Sequence, residues 1–251
     1  MKRYKLTIGY DGTSYCGWQR QVDPTPTVQR EVEKAAGFIV SHPVTVLGSS
    51  RTDTGVHALG QIAAMNLETA LETEKLRRAI NSRLPEDILI RKMEEVPLEF
   101  DVRTAVRKRY RYLIWASKDR PVICRHYVYH FYRDLNLERM KAACAAFVGT
   151  HDFEAFKGQA DDRDNTVRTI FHCDIQRSRG GETDRTPLLI FAVEGSGFLY
   201  HMVRTMVGTV LEVGTGHWEV ERVARIIASK DRQQAGPTLP AQGLHLQWIR
   251  F

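Results

Sequence analysis

The sequence predicts a mixed α/β (α+β) protein with a central, largely antiparallel sheet and flanking helices. Three observations carry that prediction. Short β-rich runs follow one another through hairpin-like joins rather than long helical crossovers. A few segments place apolar residues three and four apart, the spacing of a helix face. The run Lys2–Ile8 (KRYKLTI) resembles Lys108–Ile114 (KRYRYLI), and each opens about half of the chain. Two halves follow, 1–104 and 105–251, each running strand, helix, strands, helix.

The elements read in order. Lys2–Ile8 is a strand and carries no apolar block of the signal-peptide kind. Thr27 follows Pro26 and caps a helix to about Val40, with Val28, Val32, Ala35, Ala36 and Ile39 as its apolar stripe. Val44–Leu47 and Gln61–Met65 read as strands, and a second helix is predicted over Glu74–Arg83. In the second half, Tyr127–Tyr129 reads as strand. Leu137, Met140, Cys144, Phe147 and Val148 mark a helix that Gly149 should end. Ile170–Ile175 and Leu188–Val193 read as strands joined by a loop at Gly180-Gly181. An apolar helix is expected over Tyr200–Val213, stopped by Gly214, and another over Val220–Ser229.

Composition narrows the classes. The chain has 251 residues, 43% hydrophobic and 26% charged, which is ordinary for a globular protein. No apolar run reaches the roughly 18–20 residues of a membrane span, so a cytoplasmic location is expected. The four cysteines, Cys16, Cys124, Cys144 and Cys173, lie far apart and form no C-x-x-C pair. Neither a zinc site nor a disulfide frame is indicated, and Cys144 falls on a helical stripe as a packing residue. His126 and His130 are four apart but flank a strand-like run without an H-E-x-x-H pattern, so no metal is expected.

The net charge is +6, and its distribution is uneven. Residues 101–133 hold nine Lys/Arg against Asp101 and Asp119, a net +7 that leaves the rest of the chain near neutral. Tyr110, Tyr112, Trp115, Tyr127, Tyr129, Phe131 and Tyr132 are interleaved with them. Cations for phosphates and rings for bases suit looped or single-stranded RNA. A strand with a solvated basic face has the same composition.

The densest polar segment between strands is Gly48–Ala58 (GSSRTDTGVHA). Flanking strands hold such a loop rigidly, which suits a reactive group, and Gly55 permits a turn that a β-carbon would hinder. Asp53 is its candidate catalytic carboxylate, with an Asx-turn as the plain structural alternative; His57 can equally be a satisfied, half-buried histidine. Arg204 is the only formally charged residue between Gly195 and Leu211. On an apolar helix an arginine calls for an anion, a carboxylate from elsewhere or a phosphate, unless it lies at the solvent edge. Gly195-Ser196-Gly197 before that helix is a phosphate site or, more simply, a tight turn.

These residues carry a family resemblance. Arg51–Ala58 resembles the R-T-D-x-G-V-H signature of the TruA-type tRNA pseudouridine synthases. Tyr10–Gln21 (YDGTSYCGWQRQ) resembles the family's N-terminal block, and Arg109–Tyr112 (RYRY) its second. Arg168–Ile170 falls where the family has a basic motif before a strand. Phe198–Arg204 (FLYHMVR) resembles its F-x-x-x-M-V-R helix, and Ala241–Leu244 (AQGL) its terminal A-x-G-L. Six blocks in order are far more specific than any one. The sequence departs from the pattern at Ser49-Ser50, usually Ala-Gly, and at Thr54, usually alanine.

The resemblance implies a pseudouridine synthase fold of two α/β halves related by a pseudo-twofold. It implies a tRNA-uridine isomerase that makes pseudouridine at positions 38, 39 and 40 of the tRNA anticodon stem-loop. It further implies no cofactor, no metal, and a homodimer with tRNA lying across both subunits. By position, Asp53 is the catalytic aspartate, Tyr110 the tyrosine that stacks on the target base, and Arg204 the arginine that pairs with the aspartate. Leu244 packs near the base, and Arg51 organises the loop and approaches substrate. Arg20, Arg109 and Arg168 are the further substrate-binding candidates. His57 receives no chemical role, and the polar stretch 158–165 receives none at all. The competing readings are a non-catalytic RNA-binding protein, a paralogue acting at other RNA positions, and a nucleotide-binding enzyme using the 195–197 turn.

Overall fold

The structure is a computed structural model, and it describes residues 1–159, 161, 163–178 and 187–251. The chain divides into two compact units, residues 1–106 with 245–251, and residues 107–244. The last strand therefore returns to the first unit, so the expected second half, 105–251, ends earlier than its sequence suggested. A local reading cannot see this, because the strand's partner lies nearly two hundred residues upstream.

In the first unit β1 (Lys2–Tyr10) pairs antiparallel with β3 (His57–Leu67) on one side and β4 (Ile88–Val96) on the other. The far side of β3 carries two short partners in succession. The last strand, β10 (Leu244–Arg250), lies parallel to it with His245 opposite His57, and β2 (Val46–Gly48) lies antiparallel with Val46 opposite Met65. Strand β1 alternates as a half-buried strand must: Tyr4, Leu6, Ile8 and Tyr10 point inward. Strand β3, with partners on both edges, is buried almost throughout.

Helix α1 (Val28–Val40) begins where Thr27 accepts a hydrogen bond from the Arg30 N–H, the predicted cap. Its buried residues include Val28, Val32, Ala35 and Ala36, the predicted stripe. Helix α2 (Thr73–Asn81) covers the same unit through Leu76 and Ile80, both fully buried. Each such aliphatic side chain contributes about 1.5–3 kcal/mol on burial.

In the second unit β5 (Arg107–Ala116) pairs antiparallel with β9 (Leu188–Gly195), and β9 pairs with β8 (Val167–Arg177). Beyond β8 lies β7 (Gly149–Asp152), and β6 (Tyr129–Phe131) runs parallel to the end of β5. Apart from β3–β10 and β5–β6, the ladders described within each unit are antiparallel, as expected. The Gly180-Gly181 joint lies outside the described residues.

Helix α3 (Leu137–Ala145) stops sooner than predicted. Gly149 does not cap it but opens β7 with φ at +120°. Phe147 leaves the helix to join Phe153 and Phe156 in a fully buried aromatic cluster. Tertiary packing thus overrides the helical spacing there. Helix α4 (Met202–Gly214) is buried on nearly every side, and α5 (Arg222–Ser229) packs through Val223, Ile226 and Ile227. Among the described residues no helix is long and apolar enough to cross a membrane.

Candidate active site

The loop carrying Asp53 leaves β2 at Gly48 and enters β3 at His57. Its backbone is held from several directions. The Ser49 N–H donates to the Ile62 carbonyl at 2.8 Å, and the Gln61 side-chain amide donates to the Ser50 carbonyl at 2.6 Å. The Trp18 N–H donates to the Thr52 carbonyl at 3.0 Å, and the Thr52 hydroxyl meets the Tyr10 hydroxyl at 2.7 Å. A turn follows: the Val56 N–H donates to the Asp53 carbonyl at 3.1 Å, with Gly55 at φ +77°. That left-handed conformation costs a residue with a β-carbon roughly 1–2 kcal/mol, which explains the glycine of the motif. Asp53 itself is half-buried between buried Thr52 and exposed Thr54. Its carboxylate is carried on a fixed backbone without being sealed from a ligand.

His57 is structural. The Gly12 N–H is directed at its Nδ1 at 3.1 Å, which makes that nitrogen the acceptor. Its ring also stacks on His245 at 4.7 Å. Asp11 lies 3.1 Å from the same Nδ1 and also accepts from the Thr13 N–H and hydroxyl. The histidine thereby pins the 10–21 block to the start of β3.

Of the arginines in this unit, Arg51 is exposed and has no hydrogen-bond or ion-pair partner among the described residues. It does not organise the loop, as the resemblance implied; Ser50, Thr52 and Gln61 do. Arg20 pairs with buried Glu33 at 3.3 Å and lies 4.0 Å from Asp23.

In the second unit Tyr110 stands opposite Val193 on β5 and is 6% exposed. Phe198 meets it edge-on. Arg109 projects to the other face, where Glu194, its neighbour across the ladder, takes its guanidinium at 2.8 Å. Burial pushes the nearby Lys108 ammonium down to about 8, with Arg163 adding to the effect.

Arg204 lies on the first turn of α4. The carbonyl of Leu239 receives its Nε–H, at 2.6 Å. This bond orients the guanidinium plane. Arg204 lies close enough to Tyr112 to favour its phenolate, but burial dominates and raises the Tyr112 hydroxyl well above the ordinary tyrosine range. That hydroxyl donates to the Pro240 carbonyl at 2.7 Å. The last sequence block is built against the same ring, since a β-carbon on Gly243 would lie 2.6 Å from it. Leu244, directly after, is 6% exposed.

Arg168 donates to the carbonyls of Asn165 and Val167. The Gly195-Ser196-Gly197 segment bends away from the end of β9 and is fastened to β8, the Ser196 N–H donating to the Thr169 carbonyl at 2.9 Å. Helix α4 begins only at Met202, so this segment is not at a helix N-terminus.

The stretch 158–165 supplies what sequence reasoning missed. Asp161, its side chain 2% exposed, accepts the Tyr200 N–H at 2.7 Å and pairs with Arg163. Arg163 in turn donates to the Phe198 carbonyl at 3.2 Å. The pair latches the segment that presents Phe198 to Tyr110. The guanidinium holds the Asp161 carboxyl down at about 2. The D-x-R spacing was the available signal. Among the described residues no cluster of three His, Cys, Asp or Glu side chains could hold a metal ion.

The sequence profile of the tRNA pseudouridine synthase family matches residues 7–104 and 143–251, one stretch on either side of β5. Over 252 aligned residues, covering all of both chains, the protein is 40% identical to a tRNA pseudouridine synthase A of Acetivibrio thermocellus. It is 43% identical to that of Caldicellulosiruptor saccharolyticus, with 98% of each chain covered. It is 42% identical to that of Clostridium acetobutylicum, again over the whole of both chains.

Proposed function

The chain belongs to the tRNA pseudouridine synthase family, and from that premise we propose that it isomerises uridine at positions 38, 39 and 40 of the tRNA anticodon stem-loop. Asp53 is the catalytic carboxylate in this reading. Tyr110 is the ring on which the target base stacks, and Arg204 supplies the guanidinium that stabilises negative charge during the reaction.

The reaction breaks the bond from the ribose C1′ to uracil N1, turns the base, and joins C1′ to C5. The proton of C5 is lost and N1 gains one, so nothing is oxidised or reduced. The base has to leave its stack, and a tyrosine face offers a replacement surface. An ionised carboxylate on a rigid backbone serves as nucleophile or base. The observation that carries the proposal is the mounting of Asp53: its backbone is tied through Thr52 and the Gly55 turn, while the residue remains half-exposed. Arg51, exposed on the same loop without a partner among the described residues, suits a substrate phosphate. Arg20 and Arg109, which pair with Glu33 and Glu194, and Arg168 contribute to the substrate-binding surface in this reading. The enzyme acts as a cytoplasmic homodimer in this reading, which sedimentation of the purified chain tests.

The test uses tRNA transcripts tritiated at uracil C5. The wild-type protein releases tritium to solvent and the Asp53→Asn variant does not. An Asp53→Asn protein releasing tritium at the normal rate ends the assignment. Pseudouridine mapping in tRNA from a strain lacking the gene tests the positions, which should revert to uridine at 38, 39 and 40.

A further inference from the structure

The connection from β5 to β6 borders a cleft of about 440 Å³, lined by Arg120, Pro121, Val122, Arg125, Val128, His130 and Gln242. That volume is within the range that holds a nucleotide-sized ligand, roughly 300–1,000 Å³. Every lining residue belongs to the second unit. All but Gln242 fall in residues 105–142, between the two stretches that the family profile matches.

The lining sorts into three chemistries. Arg120 and Arg125 are exposed, and neither has a carboxylate partner among the described residues. Arg125 is not loose, because its Nη1 donates to the Val122 carbonyl at 2.8 Å. Two arginines facing one cleft without an acidic neighbour make a site for an anion. Pro121, Val122 and Val128 form an apolar wall, and Val122 is 69% exposed, an apolar face that a stacked ring would cover. His130 and Gln242 supply directional groups. The His130 Nε2 lies 2.8 Å from the Ser117 carbonyl, which can only accept, so the proton sits on Nε2 and Nδ1 is an acceptor. Gln242 offers both an amide donor and a carbonyl acceptor.

An anion site, an apolar wall and a mixed donor–acceptor edge together match phosphate, ring and base edge. We infer that this cleft binds an unpaired nucleotide of the tRNA substrate, separate from the target uridine. Arg120 and Arg125 hold its phosphate, its base lies against Val122 and Val128, and His130 and Gln242 read the base edge. A base in a duplex cannot enter such a cleft, so the nucleotide belongs to a loop. Gln242 is two residues from Leu244, so the cleft extends the binding surface of the last sequence block. The inference rests on the proposed tRNA substrate, but its test does not depend on turnover.

The experiment compares wild-type protein with Arg120→Ala and with the Arg120→Ala/Arg125→Ala double variant, using one unmodified tRNA transcript. Binding is measured across a salt series, and tritium release gives kcat and KM. One neutralised phosphate of an unpaired strand contributes about 0.7 to the slope of log K against log salt, so the slope falls by about 0.7 in the double variant and by less in the single. Kd and KM of the double variant rise together by roughly tenfold, with kcat changing far less. Gln242→Leu leaves the salt slope intact and weakens discrimination among transcripts altered at single loop nucleotides. Unchanged Kd and slope in the double variant overturn the inference, as does lost self-association with unchanged RNA affinity. If the slope falls as stated but the wild type releases no tritium, the proposed function fails and the cleft stands. If the wild type releases tritium while the double variant binds like it, the cleft fails alone.

Discussion

The rings of Phe198 and Tyr110 meet edge-on, with centroids 5.2 Å apart and planes at 86°. The two residues come from segments far apart in the sequence. Tyr110 is set by the β5–β9 ladder, and Phe198 by the Asp161–Arg163 latch on the segment before α4. An edge-to-face pair is worth about 0.5–1.5 kcal/mol beyond its buried area. Phe198→Leu keeps most of the apolar contact and loses the ring edge. The variant should be less stable by about 1 kcal/mol in urea denaturation, and tritium release should slow severalfold as the Tyr110 ring loses its fixed tilt. Normal turnover with normal stability would show that the contact does not position Tyr110.

Asp53→Asn should separate chemistry from folding. The turn that carries residue 53 uses its backbone carbonyl, which asparagine retains. The variant should therefore still fold, and tRNA affinity should persist. Turnover should fall by roughly three orders of magnitude or more, as it does when a reacting group is removed. A fall in thermal midpoint matching the lost activity would instead make Asp53 a structural residue of the turn.

Tyr110→Phe asks what the hydroxyl does. The ring, its burial and its contact with Phe198 survive the change, so affinity for tRNA should match wild type by filter binding. Turnover should drop if the hydroxyl moves a proton. Equal kcat would confine Tyr110 to stacking.

The sequence made the strands and helices legible where one period repeats locally: β1 alternates, α1 carries its stripe behind the Thr27 cap, and the 48–57 loop stands out for its polar residues. What stayed hidden depends on partners distant in the chain. The return of residues 245–250 to β3 is a two-residue parallel contact with no local signature. The early end of α3 follows from Phe147 joining Phe153 and Phe156. Arg204 is legible as a charged residue on an apolar helix, but the carbonyl of Leu239, thirty-five positions away, that takes its Nε–H is not. Nothing local to Arg109 signals Glu194, which the β5–β9 register sets beside it.

The Asp161 latch gives a pH dependence. Arg163 and the Tyr200 N–H lower the folded pKa of Asp161 to about 2, below its unfolded value near 3.8. A lowered carboxylate contributes stability that is present above the unfolded value and is lost as pH falls through the folded one. The window is therefore about pH 4 to pH 2. Discounted for the solvent around Arg163, the contribution is about 1–2 kcal/mol at neutral pH. Asp161→Asn should lose that amount at pH 7 and converge on wild type near pH 2, as measured by urea denaturation at each pH. A constant difference between the two proteins across the whole range would mean that the ionised form carries no special weight.

Gly243→Ala tests why the last sequence block contains a glycine. Alanine for glycine commonly stabilises by about 0.4–1 kcal/mol, because the unfolded chain has fewer states to lose. Here the new methyl would lie 2.6 Å from two ring carbons of Tyr112 and 3.0 Å from its hydroxyl oxygen. Tyr112 has nowhere to go: it is fully buried, its neighbours on β5 are in register with β9, and its hydroxyl is tied to the Pro240 carbonyl. Overpacking of this kind costs about 1–3 kcal/mol, which exceeds the entropic gain. The variant should be less stable by about 1–2 kcal/mol. Its turnover should fall as well, because Leu244 follows directly and Arg204 lies close to the same ring. Adding Tyr112→Leu should recover part of the stability by making room. If Gly243→Ala alone proves as stable as wild type, the Tyr112 ring is free to yield, and the glycine is not there to accommodate it.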